Sequence, residues 1–127
     1  MKWKMRLYTK GISEKYRQYM GLFLVLVQDR RPNKKLPTEV LYSFSILNSL
    51  DQKVNLARSH EDRAFAEMDS WGFPKFLPKS AVETDYRNLM PNDQLTILVE
   101  MTVFGQISTL DKIPDRSDFK GGHFGRL

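Results

Sequence analysis

Apolar and polar side chains alternate with a period of two along much of this chain, and this pattern limits most strongly what the chain can fold into. Trp3, Met5 and Leu7 alternate with charged residues. Between residues 95 and 103 every odd position is apolar and most even positions are polar. Successive side chains of a β-strand point to opposite faces of its sheet. Both segments are therefore predicted to be strands that place one face on a core and the other in water.

Two further segments are predicted to be strands with different surroundings. Residues 19–27 are apolar at almost every position, which predicts a strand covered on both faces. In residues 40–48, the side chains of Tyr42, Phe44 and Ile46 fall on one side, with serines between them on the other. The second pattern again indicates a strand with one buried face.

Turn-forming residues separate these segments at intervals typical of antiparallel hairpins. Pro78 through about Val82 is the best helix candidate, because proline is favoured in the first turn of a helix. The predicted fold class is therefore an all-β antiparallel sandwich with one short helix. The predicted turns are Gly11 with Ser13, Pro32 with Asn33, residues 50–53 and residues 91–93.

The composition excludes several kinds of site. The chain has 127 residues, no cysteine and two histidines, which suits one domain without disulfides or thiolate metal ligands. We therefore expect no metal and no other cofactor. No apolar run approaches the length of a membrane span, and no signal-peptide segment follows the first residues. These features predict a nuclear or cytoplasmic protein that does not contact a membrane.

The residues offer little for catalysis. Ser59 and His60 are adjacent, so in a strand their side chains would point to opposite faces and could not act together. The glycines form no phosphate-binding loop or nucleophile elbow. Glu61 and Asp62 are predicted to lie in a surface loop. We therefore predict that the chain is not an enzyme.

A net charge of +5 raises the alternative of a basic β domain that binds nucleic acid. The basic residues are, however, interleaved with 15 acidic ones over most of the chain. Residues 30–35 form the one basic cluster, and because Pro32 and Asn33 favour a turn, we interpret it as a solvated loop between two strands. Nuclear import is a second, weaker interpretation of this cluster.

The segment Trp71-Gly72-Phe73 contains the most informative aromatic residues. In an extended strand Trp71 and Phe73 share one face, and the missing side chain of Gly72 allows another backbone to approach closely. The other aromatic residues of this part of the chain are predicted to be core residues. These are Phe44, Phe65 and Phe76.

Residues 59–76 also carry a motif: Ser-His, an acidic residue, then Trp-Gly-Phe, a basic residue and a second aromatic. This run resembles the signature of the MATH (meprin and TRAF homology) domain family. The resemblance covers residues 1–104 in family order. It includes residues 3–8, 19–27, 44–48 and 92–96.

The resemblance implies a domain organisation. Residues 1–104 would form a MATH sandwich, and residues 105–127 would form a linker or disordered tail. The chain is most similar to the speckle-type POZ subfamily, in which a BTB/POZ domain follows the linker. MATH domains also usually begin with one or two strands before the one that resembles residues 3–8. We therefore expect this sandwich to be N-terminally incomplete. Either the chain is a fragment or a gene-model truncation of a longer protein, or the sandwich is completed in some other way.

The resemblance also implies a function. In the speckle-type POZ subfamily the domain binds extended peptides of the form apolar, polar, Ser, Ser/Thr, Ser/Thr, as substrate adaptor of a cullin-RING ubiquitin ligase. An apolar anchor would contact Phe23, Tyr42 and Trp71, and the peptide hydroxyls would bond near Asp69 and Ser70. The predicted peptide-binding residues are Phe23, Tyr42, Arg63, Asp69, Ser70, Trp71, Gly72 and Phe73. A TRAF-type or deubiquitinase-linked MATH module without BTB coupling is the related alternative.

Three residues depart from the subfamily pattern. Arg63 stands where a tyrosine is usual, Ser70 stands where an acidic residue precedes the tryptophan, and Pro74 replaces a lysine. The resemblance therefore supports the shape of the groove better than the specificity for one motif. An arginine at position 63 would favour an acidic or phosphorylated peptide.

Overall fold

Two antiparallel β-sheets make up most of the computed structural model, which describes residues 1–31, 36–54, 60–106 and 123–126. Two short α-helices and two 3-10 helices join them. None of the helices in these ranges is both long and apolar enough to cross a membrane. The elements are β1 (Lys2–Tyr8), β2 (Tyr19–Gln28), β3 (Thr38–Leu47), β4 (Lys53–Val54), β5 (His60–Phe65), β6 (Ser70–Pro78), α1 (Lys79–Thr84), α2 (Tyr86–Leu89), β7 (Thr96–Gln106) and β8 (His123–Arg126), with 3-10 helices at Glu14–Tyr16 and Pro91–Asp93.

The first sheet has three strands in the order β1-β2-β6. Leu24 of β2 lies opposite Met5 of β1 on one side and Trp71 of β6 on the other. Directly opposed residues of antiparallel strands share a face. One face of this sheet is therefore apolar across all three strands.

The second sheet is built around β3. β7 pairs with β3 along its whole length, and β8 pairs with β7 beyond it. On its other side, β3 pairs with β5 through Thr38 to Ser43 and with β4 through Ile46 and Leu47. β4 and β5 therefore follow one another along the same edge of β3.

The core lies between the apolar faces of the two sheets. The first sheet contributes the alternate residues of β2, and the second sheet contributes the alternate residues of β3 that we predicted to be buried. Burial of this apolar surface is the main favourable term in folding. The most deeply buried members are Leu22, Leu24, Leu26, Val40, Tyr42, Phe44, Ile46, Phe65, Leu77, Leu89 and Ile97.

The predicted strands and the predicted helix are present. β1, β2, β3 and β7 overlap the four segments identified from alternation, and α1 begins directly after Pro78. Phe44, Phe65 and Phe76 are buried, as expected for core residues. The prediction of an all-β antiparallel sandwich is therefore confirmed.

Other regions differ from the sequence-based expectation. Glu61 and Asp62 lie in β5 and not in a surface loop, because β5 pairs with β3 over its full length. Residues 105–127 were predicted to form a linker or tail, yet β7 runs to Gln106 and residues 123–126 form β8. The predicted turn at Pro32 and Asn33 and the tail between residues 107 and 122 lie outside the described residues. The boundary at residue 104 stays a prediction.

Candidate functional site

Two edge strands, one from each sheet, meet at one side of the sandwich. In the part of the chain that the structure describes, β6 pairs only with β2, and β5 pairs only with β3. The Arg63 guanidinium carbon of β5 lies 4.4 Å from the centre of the Trp71 ring of β6, which brings the two edges into contact. We call the side chains of Tyr42, Glu61, Arg63, Trp71 and Phe73 the β5–β6 surface.

Trp71 and Phe73 share the core-facing side of β6, as their spacing predicted. Phe73 packs against the core, with its ring centre 6.1 Å from those of both Tyr42 and Phe44. Trp71 lies two residues nearer the start of β6, and 37% of its surface is exposed. One face of β6 thus passes from the core to solvent, and the large indole is available for contact with a partner.

Gly72 sits against the neighbouring backbone. A Cβ atom built on Gly72 would lie 2.1 Å from the carbonyl oxygen of Leu22 and 2.6 Å from the Cα of Phe23. These distances are far below van der Waals contact, so only glycine allows β6 to approach β2 this closely. The predicted close approach at Gly72 is confirmed, and it sets the position of Trp71 and Phe73.

Arg63 makes two contacts on the β5–β6 surface. Its guanidinium stacks over the Trp71 ring, a cation–π arrangement, and its Nε atom lies 3.3 Å from Oε2 of Glu61. Its side chain is nevertheless 46% exposed. Arg63 is therefore held in place on one side and open to solvent on the other.

Glu61 is a site residue that the sequence reasoning missed. Its side chain is only 10% exposed. The Tyr42 hydroxyl donates a short hydrogen bond to Oε1 of Glu61, while Oε2 faces Arg63. Glu61, Arg63 and the buried Phe65 occupy alternate positions of β5 and so share a face, which is a signal that the sequence does contain.

Asp62 points away from these residues. It alternates with Glu61 and Arg63 along β5 and lies opposite Leu41 of β3, on the outer face of the sheet. Partial burial raises the pKa of the Asp62 carboxyl above its ordinary value. Its charge is therefore separated from the β5–β6 surface by the strand itself.

Phe23 is not brought together with the other predicted aromatic residues. It alternates with the buried Leu22 and Leu24, and it lies opposite Arg6 and Gly72. Its ring packs edge-on against that of Tyr8, with 5.6 Å between the ring centres, on the outer face of the first sheet. The expected wall of Phe23, Tyr42 and Trp71 is therefore divided between two faces, and Tyr42 and Trp71 lie on the same side without Phe23.

Asp69 and Ser70 lie at the turn that leads into β6. Oδ2 of Asp69 accepts a hydrogen bond of 2.8 Å from the backbone N–H of Ala66, and the Asp69 N–H donates to the Ala66 carbonyl at 3.0 Å. These two bonds close the turn in which Met68 has a positive φ of 72°. Ser70 is exposed and lies opposite Val25, so it faces away from Trp71. Asp69 thus holds the start of β6 in position.

A second arginine–carboxylate pair lies at the end of β2. Asp29 is 1% exposed and Arg31 15% exposed, and Nε and Nη2 of Arg31 bond both carboxylate oxygens at 2.6 to 3.0 Å. Nη2 also donates to the Leu36 carbonyl, while the Asp29 N–H donates to Glu67 at 2.8 Å. This cluster ties β2 to the turn between β5 and β6. Nη1 of Arg31 is buried and has no hydrogen-bond partner among the described residues.

A separate depression of about 310 Å³ lies on the outer face of the second sheet. Glu100 in this depression forms an ion pair with Lys53. Within the described ranges, no group of three or more histidine, cysteine, aspartate or glutamate side chains is arranged to hold a metal ion. The depression is lined by Leu41, Tyr42, Ser43, His60, Glu100, Met101 and Thr102.

Comparison with known proteins agrees with the fold. The MATH domain family matches residues 1–101. Two curated proteins of Mus musculus, TD and POZ domain-containing protein 1 and TD and POZ domain-containing protein 1-like, are each 31% identical to the chain over 104 residues. These 104 residues cover 82% of this chain but 27% of either relative, so the chain spans about a quarter of their length. The family match extends over most of the sequence and both sheets, and the chain therefore belongs to the MATH domain family.

Proposed function

We propose that this MATH domain is a non-catalytic interaction module that binds short Ser/Thr-rich linear motifs of partner proteins in extended form. The observation that carries the proposal is the edge of β6. This strand pairs on one side only, within the described residues, and presents Trp71 beside that open edge. An extended peptide can add to such an edge through main-chain hydrogen bonds, with alternate side chains held in neighbouring contacts.

The aromatic residues supply the expected anchor for the peptide. Trp71 stacks with the Arg63 guanidinium and leaves 37% of its surface exposed, and Phe73, two residues further on the same face of β6, packs with Tyr42 against the core. Interface residues that dominate binding are commonly tryptophan, tyrosine and arginine held in well-packed surroundings. The apolar residue of the motif would pack against Trp71, and the hydroxyl residues would follow along the edge of β6 towards Asp69 and Ser70.

The adaptor role rests on the relatives. Two similar proteins carry a POZ domain according to their names, and the present chain matches about a quarter of each. We propose that a longer form of this protein joins the MATH domain to such a domain and brings substrates to a cullin-RING ubiquitin ligase in the nucleus or cytoplasm. An in-frame POZ domain encoded downstream of Leu127 is expected. Its absence from the transcript would favour a TRAF-type or deubiquitinase-linked module.

Peptide titration tests the binding function. An array of nine-residue peptides containing an apolar residue, a polar residue and three hydroxyl residues is screened, and the best peptide is titrated by calorimetry. Trp71→Ala is expected to weaken binding by about 2 kcal/mol or more, as for interface anchor residues. Tyr86→Ala is the matched control, because Tyr86 is an exposed aromatic residue of α2. Equal affinities for wild type and a folded Trp71→Ala variant would contradict the proposal.

A further inference from the structure

We propose that Arg63 makes the β5–β6 surface select peptides that carry a carboxylate or phosphate group next to their apolar anchor. This inference rests on the proposed function, because it names the chemistry of the motif that the same surface would bind. Three features of Arg63 support it: its contact with Trp71, its Nη donors that have no partner among the described residues, and its contact with Glu61.

The guanidinium of Arg63 uses only part of its hydrogen-bonding capacity. An arginine side chain has five N–H donors in one plane, and one of these is on Nε. Nε faces Glu61 at 3.3 Å, and the two Nη nitrogens have no hydrogen-bond partner among the described residues. Two Nη nitrogens of one guanidinium match the two oxygens of a carboxylate or phosphate. The exposed half of the side chain thus offers an anion-binding edge.

The position of this edge is set by the aromatic ring beneath it. The guanidinium carbon lies 4.4 Å from the centre of the Trp71 ring, so the indole supports the guanidinium. Trp71 is also the expected contact of the apolar anchor. A peptide whose apolar side chain meets the indole would therefore place a neighbouring side chain within reach of Arg63.

Glu61 acts as a positioning residue for Arg63. Its carboxylate is mostly buried and is held by the Tyr42 hydroxyl on one oxygen, which leaves the other oxygen facing Nε of Arg63. A fixed carboxylate restricts the long arginine side chain and reduces the entropy lost when an anion binds. Tyr42, Glu61, Arg63 and Trp71 thus form a connected series from the core to solvent.

The negative charge of Glu61 determines whether Arg63 would select anionic peptides by long-range attraction or by short hydrogen bonds. Because Glu61 balances the charge of Arg63, long-range attraction of acidic peptides is weak at this surface. The selection would come from short charge-assisted hydrogen bonds that only a guanidinium can make in pairs. Lysine at position 63 would then retain little of the preference, although it keeps the positive charge.

The test uses matched peptides on the full chain. Four peptides of the form Ala-Leu-X-Ser-Thr-Thr-Ala, with X as glutamine, glutamate, serine or phosphoserine, are titrated by calorimetry. Wild type is expected to bind the glutamate and phosphoserine peptides about tenfold more tightly than their neutral partners, the scale of one charge-assisted contact. Comparing glutamate with phosphoserine distinguishes an acidic motif from a phosphorylated one.

Three variants separate the role of Arg63 from general effects. Arg63→Met keeps an unbranched stem over Trp71 and removes the charge, and it is expected to lower the ratio of charged-peptide to neutral-peptide affinity from about tenfold to about one. Arg63→Lys is expected to keep no more than about twofold, since its ammonium makes no paired contact. Arg87→Met removes an exposed arginine of α2 and is the control expected to keep the full preference.

The outcomes distinguish this inference from the proposed function. Equal binding of charged and neutral peptides by wild type overturns the inference and leaves peptide binding intact. A preference that persists in Arg63→Met overturns it too, as does a gain in affinity of Arg63→Met for all four peptides, which would identify Arg63 as a cover over Trp71. If wild type binds none of the four peptides or the array peptides, the proposed function fails and the inference fails with it.

Discussion

Two arginine–carboxylate pairs of the same local form differ in burial in this domain. Asp29 precedes Arg31 and Glu61 precedes Arg63 by two residues in each case. Arg31 bonds both oxygens of Asp29, and both side chains are largely enclosed. Arg63 makes one longer contact with Glu61 and stacks on Trp71 at an open edge. A carboxylate and an arginine two residues apart are thus enclosed in one pair and partly open to solvent in the other.

The comparison indicates that burial, and not the pairing itself, decides whether an ion pair stabilises the fold or leaves its donors open to a ligand. A buried pair contributes through the large cost of leaving either charge without its partner. A half-exposed pair contributes little to stability, because water and salt already screen it. The N–H donors of the arginine in such a pair are consequently available for another ligand. We assign Asp29 and Arg31 to the structure of the fold, and Glu61 and Arg63 to its surface chemistry.

The sharpest test of this comparison is to break the buried pair. Asp29→Ala removes the carboxylate that both Nε and Nη2 of the enclosed Arg31 bond, and we expect the free energy of unfolding to fall by about 3–5 kcal/mol. Urea denaturation followed by circular dichroism measures this loss. Glu14→Ala, which removes one partner of an exposed pair with Arg17, is the control expected to cost about 1 kcal/mol or less. A similar small loss for Asp29→Ala would show that the pair is effectively hydrated.

A second test moves the Trp71 ring beneath Arg63 without changing the charge of Glu61 or Arg63. Gly72→Ala places a Cβ atom against the backbone of Leu22, so β6 must move away from β2 and Trp71 must move with it. We expect a loss of about 1–3 kcal/mol in the free energy of unfolding, typical of overpacking. The near-ultraviolet circular dichroism signal of tryptophan should change as well.

Gly21→Ala is the control for this substitution. Its added Cβ atom would lie 3.1 Å from Cγ2 of Ile12 and 3.3 Å from Cε2 of Phe23, which are side-chain atoms that can adjust, and 3.6 Å from the carbonyl oxygen of Pro74, an ordinary van der Waals distance. A smaller loss of stability is therefore expected. If both variants lost the same free energy, the close approach at Gly72 would not be what places Trp71.

A third test removes the charge that positions Arg63. Glu61→Gln replaces the charged acceptor of the Tyr42 hydroxyl by a neutral one and removes the partner of Arg63. We expect a loss of about 1 kcal/mol, the scale of the difference between a charged and a neutral hydrogen bond. Thermal unfolding measures it, and Glu83→Gln on the exposed side of α1 should leave the melting temperature unchanged. An unchanged melting temperature for Glu61→Gln would remove the structural basis for its positioning role.

The smallest effect is expected at the exposed arginine itself. Arg63→Met should change the free energy of unfolding by no more than about 0.5 kcal/mol, because the pair with Glu61 is screened and the stem still covers Trp71. Arg31→Met is the matched substitution in the buried pair and should cost several times more. Equal losses for the two variants, measured by urea denaturation, would end the distinction between the pairs.

Sequence patterns predicted much of the framework because the patterns are local. The alternation that placed Tyr42 and Phe44 on the buried side of a strand is present in a short run of residues, and the structure buries both. The shared face of Trp71 and Phe73 and the close approach at Gly72 were predicted from spacing and from a missing side chain. Each of these properties depends on the geometry of one extended segment.

Prediction was least informative where a strand is apolar on both faces or polar on both faces. β2 is apolar throughout, so its alternation could not show that Phe23 faces away from Trp71. β5 carries charges on both faces, and its acidic residues were therefore assigned to a loop. In both cases, pairing with a neighbouring strand supplied the missing information.

The sequence alone was enough to identify strands β1, β2, β3 and β7, the buried side of β1, β3 and β7, the glycine at which two backbones meet, and the family. The contact between the edges of β5 and β6 became visible only in the folded structure. Arg63 and Trp71 lie on strands of different sheets, and Tyr42 reaches Glu61 across a pair of strands. Local periodicity sets the direction of a side chain relative to its own strand, whereas its neighbours in the other sheet follow from packing among residues distant in sequence.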